Sequence, residues 1–259
     1  MKNTGLSEFA VASALVVGIA ALLQGCPSAT ITSEQTAAPL NTVQQRPDRI
    51  VIYDFDVSAD NVTQNDGPLQ KAYRAVSGNQ EQDEEKRLEI GREAAKDLSE
   101  DLVKQLNEMG FEAVRLPRGT PVSGNVMIID GRFLNADEGN RARRLIIGFG
   151  AGQSSLDTQV TVSQAQPSGA PAQILAFTTH SDSGKMPGAA LTMGAGAAAQ
   201  GASAASAGTA VMSAGKVYSS MLGTLAGKTS SQITAYLSRY FASKGWIQAD
   251  QARNASVAE

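Results

Sequence analysis

From Glu81 to Met109, apolar residues return at three- and four-residue steps: Leu88, Gly91, Ala95, Leu98, Leu102, Leu106 and Met109, with charges between them. On a helical period these positions form one stripe, so the segment reads as a long amphipathic helix that must lay one face on something apolar. Gly110 closes it, and its charge run is a solvated face. The flanks read as strands. Arg49 to Val57 (Arg-Ile-Val-Ile-Tyr-Asp-Phe-Asp-Val) is dense in β-branched and aromatic residues, with Ile50, Ile52 and Phe55 expected inward. Phe111 to Leu116 is a second strand, stopped by Pro117. Strand, helix, strand at this spacing predicts a crossover unit. The polar stretch Ser58 to Gln80 is its loop.

Further strands follow. Asn125 to Leu134 is strand-like, and Asp137-Glu138-Gly139-Asn140 is a turn by composition. Leu156, Thr158, Val160 and Val162 alternate with Asp157, Gln159, Thr161 and Ser163, the period of a half-buried strand. Pro167 to Pro171 makes a turn, and Gln173 to Thr179 returns as another strand. Lys228 to Lys244 is a second amphipathic helix, with Thr229 or Ser230 as its cap and Ile233, Leu237, Tyr240 and Phe241 as its stripe. Gly245 ends it, and Trp246 and Ile247 are expected to tuck into the core. Strands and helices in this order predict an α+β domain over residues 49–247, a mixed or antiparallel sheet packed with two amphipathic helices. Residues 248–259 read as a disordered tail.

Two scarce residues exclude much chemistry. There is one Cys, Cys26, and one His, His180. Disulfide frameworks, structural zinc sites and Cys-His catalysis therefore have no residues to build them within one chain. A lone His reads as a strand or surface residue rather than a ligand. The formal net charge of −3 gives no global field for nucleic acid, so no nucleic-acid partner is expected.

Cys26 stands at the end of an apolar run. Phe9 to Leu23 is almost wholly apolar, too short to span a bilayer and suited to the core of a secretory signal. The run ends Leu23-Gln24-Gly25-Cys26, which resembles the bacterial lipobox. The resemblance implies a signal peptide over 1–25, acylation at Cys26 and, with Pro27 and Ser28 following rather than Asp, the outer membrane. The other reading is an uncleaved anchor, or an ordinary signal with an incidental Cys. Residues 26–48, rich in Thr, Ser, Gln, Ala and Pro, are expected to be a flexible tether.

Candidate sites are sparse. Asp54 and Asp56 share one strand face, and with Asp130 they are the carboxylates on which a periplasmic hydrolase would lean. Strand-end polar residues facing solvent are the simpler reading. A small-ligand or glycan-binding module is a third, made less attractive by 5% aromatic content. Between the strands, Gly148-Phe149-Gly150-Ala151-Gly152 invites a phosphate-loop reading, but a strand follows where a helix N-terminus is needed, and no Lys-Ser/Thr closes it. No cofactor or metal is expected. Arg141, Arg143 and Arg144 are candidates for anion or lipid-head contact, although pairing with Asp137 and Glu138 or facing water is the blander reading. Residues 187–227 form a Gly/Ala-rich segment in which Gly194, Gly201, Gly208 and Gly215 repeat every seven residues. If helical, that stripe would allow close helix contact, for self-association or an envelope partner.

The stretch Gly139 to Ser154 (Gly-Asn-Arg-x-x-Arg running into Gly-Phe-Gly-Ala-Gly-x-Ser) resembles bacterial envelope lipoproteins known only as domain of unknown function 4410. The resemblance extends over Arg49 to Ile247 and implies an envelope setting, with no catalytic residues to carry over. The expected function is a non-catalytic, lipid-anchored binding or assembly component at the periplasmic face of the outer membrane.

Overall fold

The computed structural model describes residues 29–36, 45–63, 80–139, 152–167, 169–184 and 221–253. Cys26, the signal, Arg141, Arg143 and Arg144, and most of the Gly/Ala segment lie outside the described residues. Seven strands form one mixed sheet: β1 (Ala29–Thr36), β2 (Arg49–Tyr53), β3 (Val62–Thr63), β4 (Ala113–Leu116), β5 (Val126–Asp137), β6 (Ser155–Gln164) and β7 (Ala172–Asp182). Their order is β1-β7-β6-β5-β2-β4, with β3 also on β5. Two helices, α1 (Gln80–Glu108) and α2 (Met221–Ser243), complete an α+β fold.

The crossover unit forms as the helical stripe predicts. β2 pairs parallel with β4 on one side and with β5 on the other. Flanked on both edges, it buries Ile50, Val51 and Ile52 in succession, the signature of a parallel strand covered on both faces. The strand stops at Tyr53 instead of reaching Val57. The chain then touches β5 at Asp56 opposite Arg132 and rejoins it as β3. The antiparallel half, β1-β7-β6-β5, alternates buried and half-buried residues along β6.

Both helices contribute to one apolar core. α1 packs on β2, β3 and β4 and against α2; α2 packs on β1, β6 and β7. Gly91 lets α1 settle onto Val57 and Val62, since a Cβ there would overlap the Val57 side chain. The two helices end alike. Gly110 (φ 82°) donates to Asn107 O and Phe111 N–H to Leu106 O; Gly245 (φ 72°) donates to Ala242 O and Trp246 N–H to Phe241 O. This is the Schellman arrangement, in which glycine takes the left-handed conformation and the next residue turns back onto the helix. The two returning aromatics meet: Phe111 and Trp246 lie 4.6 and 5.6 Å from the Phe241 ring.

Four expectations need correction. Ala29–Thr36, read as tether, is an edge strand on β7, with Ile31 buried in the core. Cross-strand pairing, and not the segment's polar composition, holds it. α2 begins at Met221, so Thr229 and Ser230 are buried mid-helix residues and not caps. The last residues of the Gly/Ala segment, 221–227, are its first turns. Past Ile247 the chain makes a 3-10 turn (Ala249–Gln251), and Arg253 donates to Gln105 Oε1 at 2.9 Å and forms an ion pair with Glu108 at 3.7 Å, so 248–253 is not a frayed tail.

Candidate functional site

The charged residues of the crossover unit gather where β2 and β4 end. Asp54 N–H donates to Leu116 O, holding the two strand ends side by side. β4 alternates, so Ala113 and Arg115 face α1 while Val114 and Leu116 face away, beside Val51 and Ile128. Arg115 Nε donates to Asp54 Oδ1 at 2.5 Å, and Arg115 Nη1 stands 3.4 Å from Glu100 Oε1 on α1. Lys96 extends the chain of alternating charge to 3.9 Å from the same oxygen. Beyond these residues a cleft of about 790 Å³ opens, lined by Asp54, Asp56, Glu89, Arg92, Lys96 and Arg115.

Arg118 comes from a tight turn. Thr120 N–H donates to Pro117 O, and Gly119 takes φ 82°. The turn aims the guanidinium at the back of the strand ends: Nη1 reaches Asp130 Oδ2 at 3.1 Å, Nη2 reaches Asp130 Oδ1 at 2.8 Å, and Nη2 also donates to Gly131 O at 2.6 Å. The pair is bidentate and tied to backbone, the geometry that suits arginine to carboxylates. Partial burial nevertheless pushes the Asp130 carboxyl above its ordinary value of 3.8; Arg118 and the Gly131 N–H oppose the rise, and the Asp56 charge adds to it. Burial, then the Asp130 charge, also raises the Tyr53 phenol, which donates to Thr120 O.

Of the three candidate carboxylates, Asp54 and Asp56 line the cleft together, while Asp130 stands on the opposite face and is linked to them by Arg118, which also lines the cleft and lies 3.4 Å from Asp54 O. Asp54 lines the cleft on the α1 side. Asp130 lies mid-strand, not at a strand end as expected, and shares the opposite face with Ile128. Asp56 is exposed, its backbone bonded to Gly131 O. Asp54 and Asp130 each hold an arginine. Their partners, Arg115 and Arg118, carry no motif and are 61 and 12 residues away along the chain.

His180 is a strand residue, as expected. It lies on the polar face of β7, with Nδ1 2.6 Å from Asp157 Oδ1 and Nε2 3.6 Å from Asp182 Oδ2. Asn135 Nδ2 holds the other Asp157 oxygen at 3.2 Å. Among the described residues no three His, Cys, Asp or Glu side chains are grouped to hold a metal ion, and no helix is long and apolar enough to cross a membrane.

The glycine motif is seen only at its two roots. Gly139 (φ 68°) and Gly152 (φ 76°) meet: a Cβ on Gly139 would stand 2.5 Å from Gly152 O. The glycines thus close a neck between β5 and β6, the close backbone approach that glycine alone permits. Ser154 Oγ fastens it by donating to Glu138 O.

The family described as "Domain of unknown function (DUF4410)" matches residues 50–200, more than half of the chain. The chain belongs to that family. The match to DUF4410 contains the crossover unit, the cleft and the glycine neck, and stops before α2. No curated protein matches. Among solved structures, the PelC dodecamer from Paraburkholderia phytofirmans aligns at 8% identity with a TM-score of 0.29, covering 78% of this chain and 94% of that one. A variant of the same dodecamer aligns at 10% identity and a TM-score of 0.32, with the same coverage.

Proposed function

We propose that this DUF4410 chain is a non-catalytic, lipid-anchored protein of the bacterial envelope, a binding or assembly component at the periplasmic face of the outer membrane. The observation that carries the reading is the position of the only thiol. Cys26 ends the Leu23-Gln24-Gly25-Cys26 sequence after an export-type apolar run, and β1 begins three residues later. Acylation there holds the domain on a membrane without any spanning helix, since each buried CH₂ contributes about 0.8 kcal/mol. The engaged state of Asp54 and Asp130 favours this reading over a hydrolase. In the same reading, Arg141, Arg143 and Arg144 meet anionic or lipid head groups, and the Gly/Ala segment serves self-association or an envelope partner.

Fatty-acid labelling with envelope fractionation, on wild type and Cys26→Ala, tests the anchor. Labelled wild type in the outer membrane and an unlabelled variant are expected. An unlabelled wild type sinks the anchor. A hydrolytic activity that disappears in Asp54→Asn would sink the non-catalytic reading. Deletion of Gly194 to Gly215 with no change in oligomeric state or co-purifying partners would remove the role given to that segment.

A further inference from the structure

We infer that one end of the sheet, the end at which β1 begins, is the face of this domain that lies against the phospholipid headgroups. The inference rests on the lipid anchor proposed above and adds to it an orientation.

The register defines that end as a single row. Ala29 of β1 sits opposite Ser181 of β7, Ser181 opposite Leu156 of β6, Leu156 opposite Ala136 of β5, and Ala136 opposite Val62 of β3. Just past this row β3 ends at Thr63, β5 and β6 meet at the Gly139–Gly152 neck, and β7 ends at Asp182. α2 starts there too. Thr229 bonds to Ser181 and Tyr236 stacks on Phe177, so the helix runs antiparallel to β7 and starts toward this end.

The anchor point is confined to the same end. Two residues, Pro27 and Ser28, separate Cys26 from Ala29, three steps along the chain and a reach of at most about 11 Å. From Leu156 to Gln164, β6 carries the sheet about 27 Å to its other end. An acyl chain on Cys26 therefore tethers the β1 end directly and leaves the far end about 27 Å from the anchor. The strand ends of the rim carry Asp137 and Asp182, which each accept a backbone N–H from the glycine two residues on, at 2.7 and 2.6 Å. Such a rim suits the hydrated headgroup layer and not the hydrocarbon beneath it.

The test uses full-length protein purified from membranes and reconstituted on phosphatidylethanolamine–phosphatidylglycerol vesicles carrying a headgroup-attached quencher. Acylated Cys26 leaves no free thiol, so one introduced cysteine takes the fluorophore. Thr63→Cys marks the row, and Gln173→Cys, opposite Ser163, marks the far end; both positions are exposed. Expected is severalfold stronger quenching at position 63 than at 173. Vesicle-bound protein with equal quenching, or stronger quenching at 173, overturns the orientation and leaves the anchor standing. Protein that does not bind, and whose Cys26 itself takes the fluorophore, overturns the anchor and the orientation with it. Asp182→Cys, next to the row on β7, repeats the test should the Thr63 variant not fold.

Discussion

Over the parallel half of the sheet, α1 brings down Leu98, Leu102 and Leu106 beside Ile50, Ile52 and Phe55, and the charges collect at the strand ends. Over the antiparallel half, α2 brings hydroxyls into the interior. Thr158, Thr179 and Ser181 on the strands and Thr229, Ser230, Thr234 and Ser238 on the helix are all fully buried. Several are satisfied: Ser181 and Thr229 bond to each other at 2.8 Å, Ser230 and Ser238 bond back to their own helix, and Gln105 of α1 reaches Ser230 at 3.1 Å. Two are not: among the described residues Thr158 Oγ1 and Thr234 Oγ1 have no hydrogen-bond partner. Charges kept at a rim remain partly hydrated and cost little. Neutral hydroxyls taken inside must each find a partner or lose one to three kcal/mol, roughly. The difference shows where specificity can reside: in area on the α1 side, in matched pairs on the α2 side.

The largest effect should come from area. Leu102→Ala empties a fully buried position between α1 and the sheet, and a loss of about 2 to 5 kcal/mol is expected. Urea unfolding would show it as a lower midpoint at unchanged slope. A loss below about 1 kcal/mol would mean that α1 is not the principal apolar contact of its half.

The α2 half should respond to pairing. Thr229→Val keeps the volume and strands the Ser181 hydroxyl, so a loss of about 1 to 3 kcal/mol is expected. Thr234→Val makes the same chemical change less than two turns away but deletes an orphan, so a gain on the order of 1 kcal/mol is expected. Equal signs for the two isosteric changes would break the comparison, because the interior would then be indifferent to which hydroxyl is paired.

The same contrast governs what could be read in advance. α1 was legible because its charges mark the solvent face and Gly110 marks its end. In α2 nearly every side is buried, from Leu222 to Phe241, and its first two turns contain no charge against which a stripe could stand out. Its start was accordingly misplaced from Met221 to Lys228. β1 was hidden for a related reason: of its described side chains only Ile31 is buried, and its pairing with β7 comes from residues about 150 positions away. At the strand ends Asp54 and Asp56 were visible as carboxylates. The arginines that occupy Asp54 and Asp130 were not, since nothing in Arg115-Leu116-Pro117-Arg118 announces its partners. Carboxylates can be picked out in a sequence, whereas the ion pairs that two of them make are set by the fold.

The smallest expected effect lies at the rim and is a matter of sign. Asp130 is partly buried, and burial outweighs Arg118 in setting its carboxyl above 3.8. The folded chain thus takes up this proton more readily than the unfolded chain. The resulting stabilisation is complete below the unfolded value and is lost as pH rises through the raised folded value. Asp130→Asn abolishes it, while Arg118 keeps its bond to Gly131 O. Stability of wild type relative to the variant should therefore increase on going from pH 7 to pH 4, by less than any of the core changes, since Asp130 is still about one-third exposed. Paired thermal melts across that range decide it. A difference that moves the other way would mean that the Arg118 pair, and not burial, governs Asp130, and that the rim is held by charge rather than merely tolerating it.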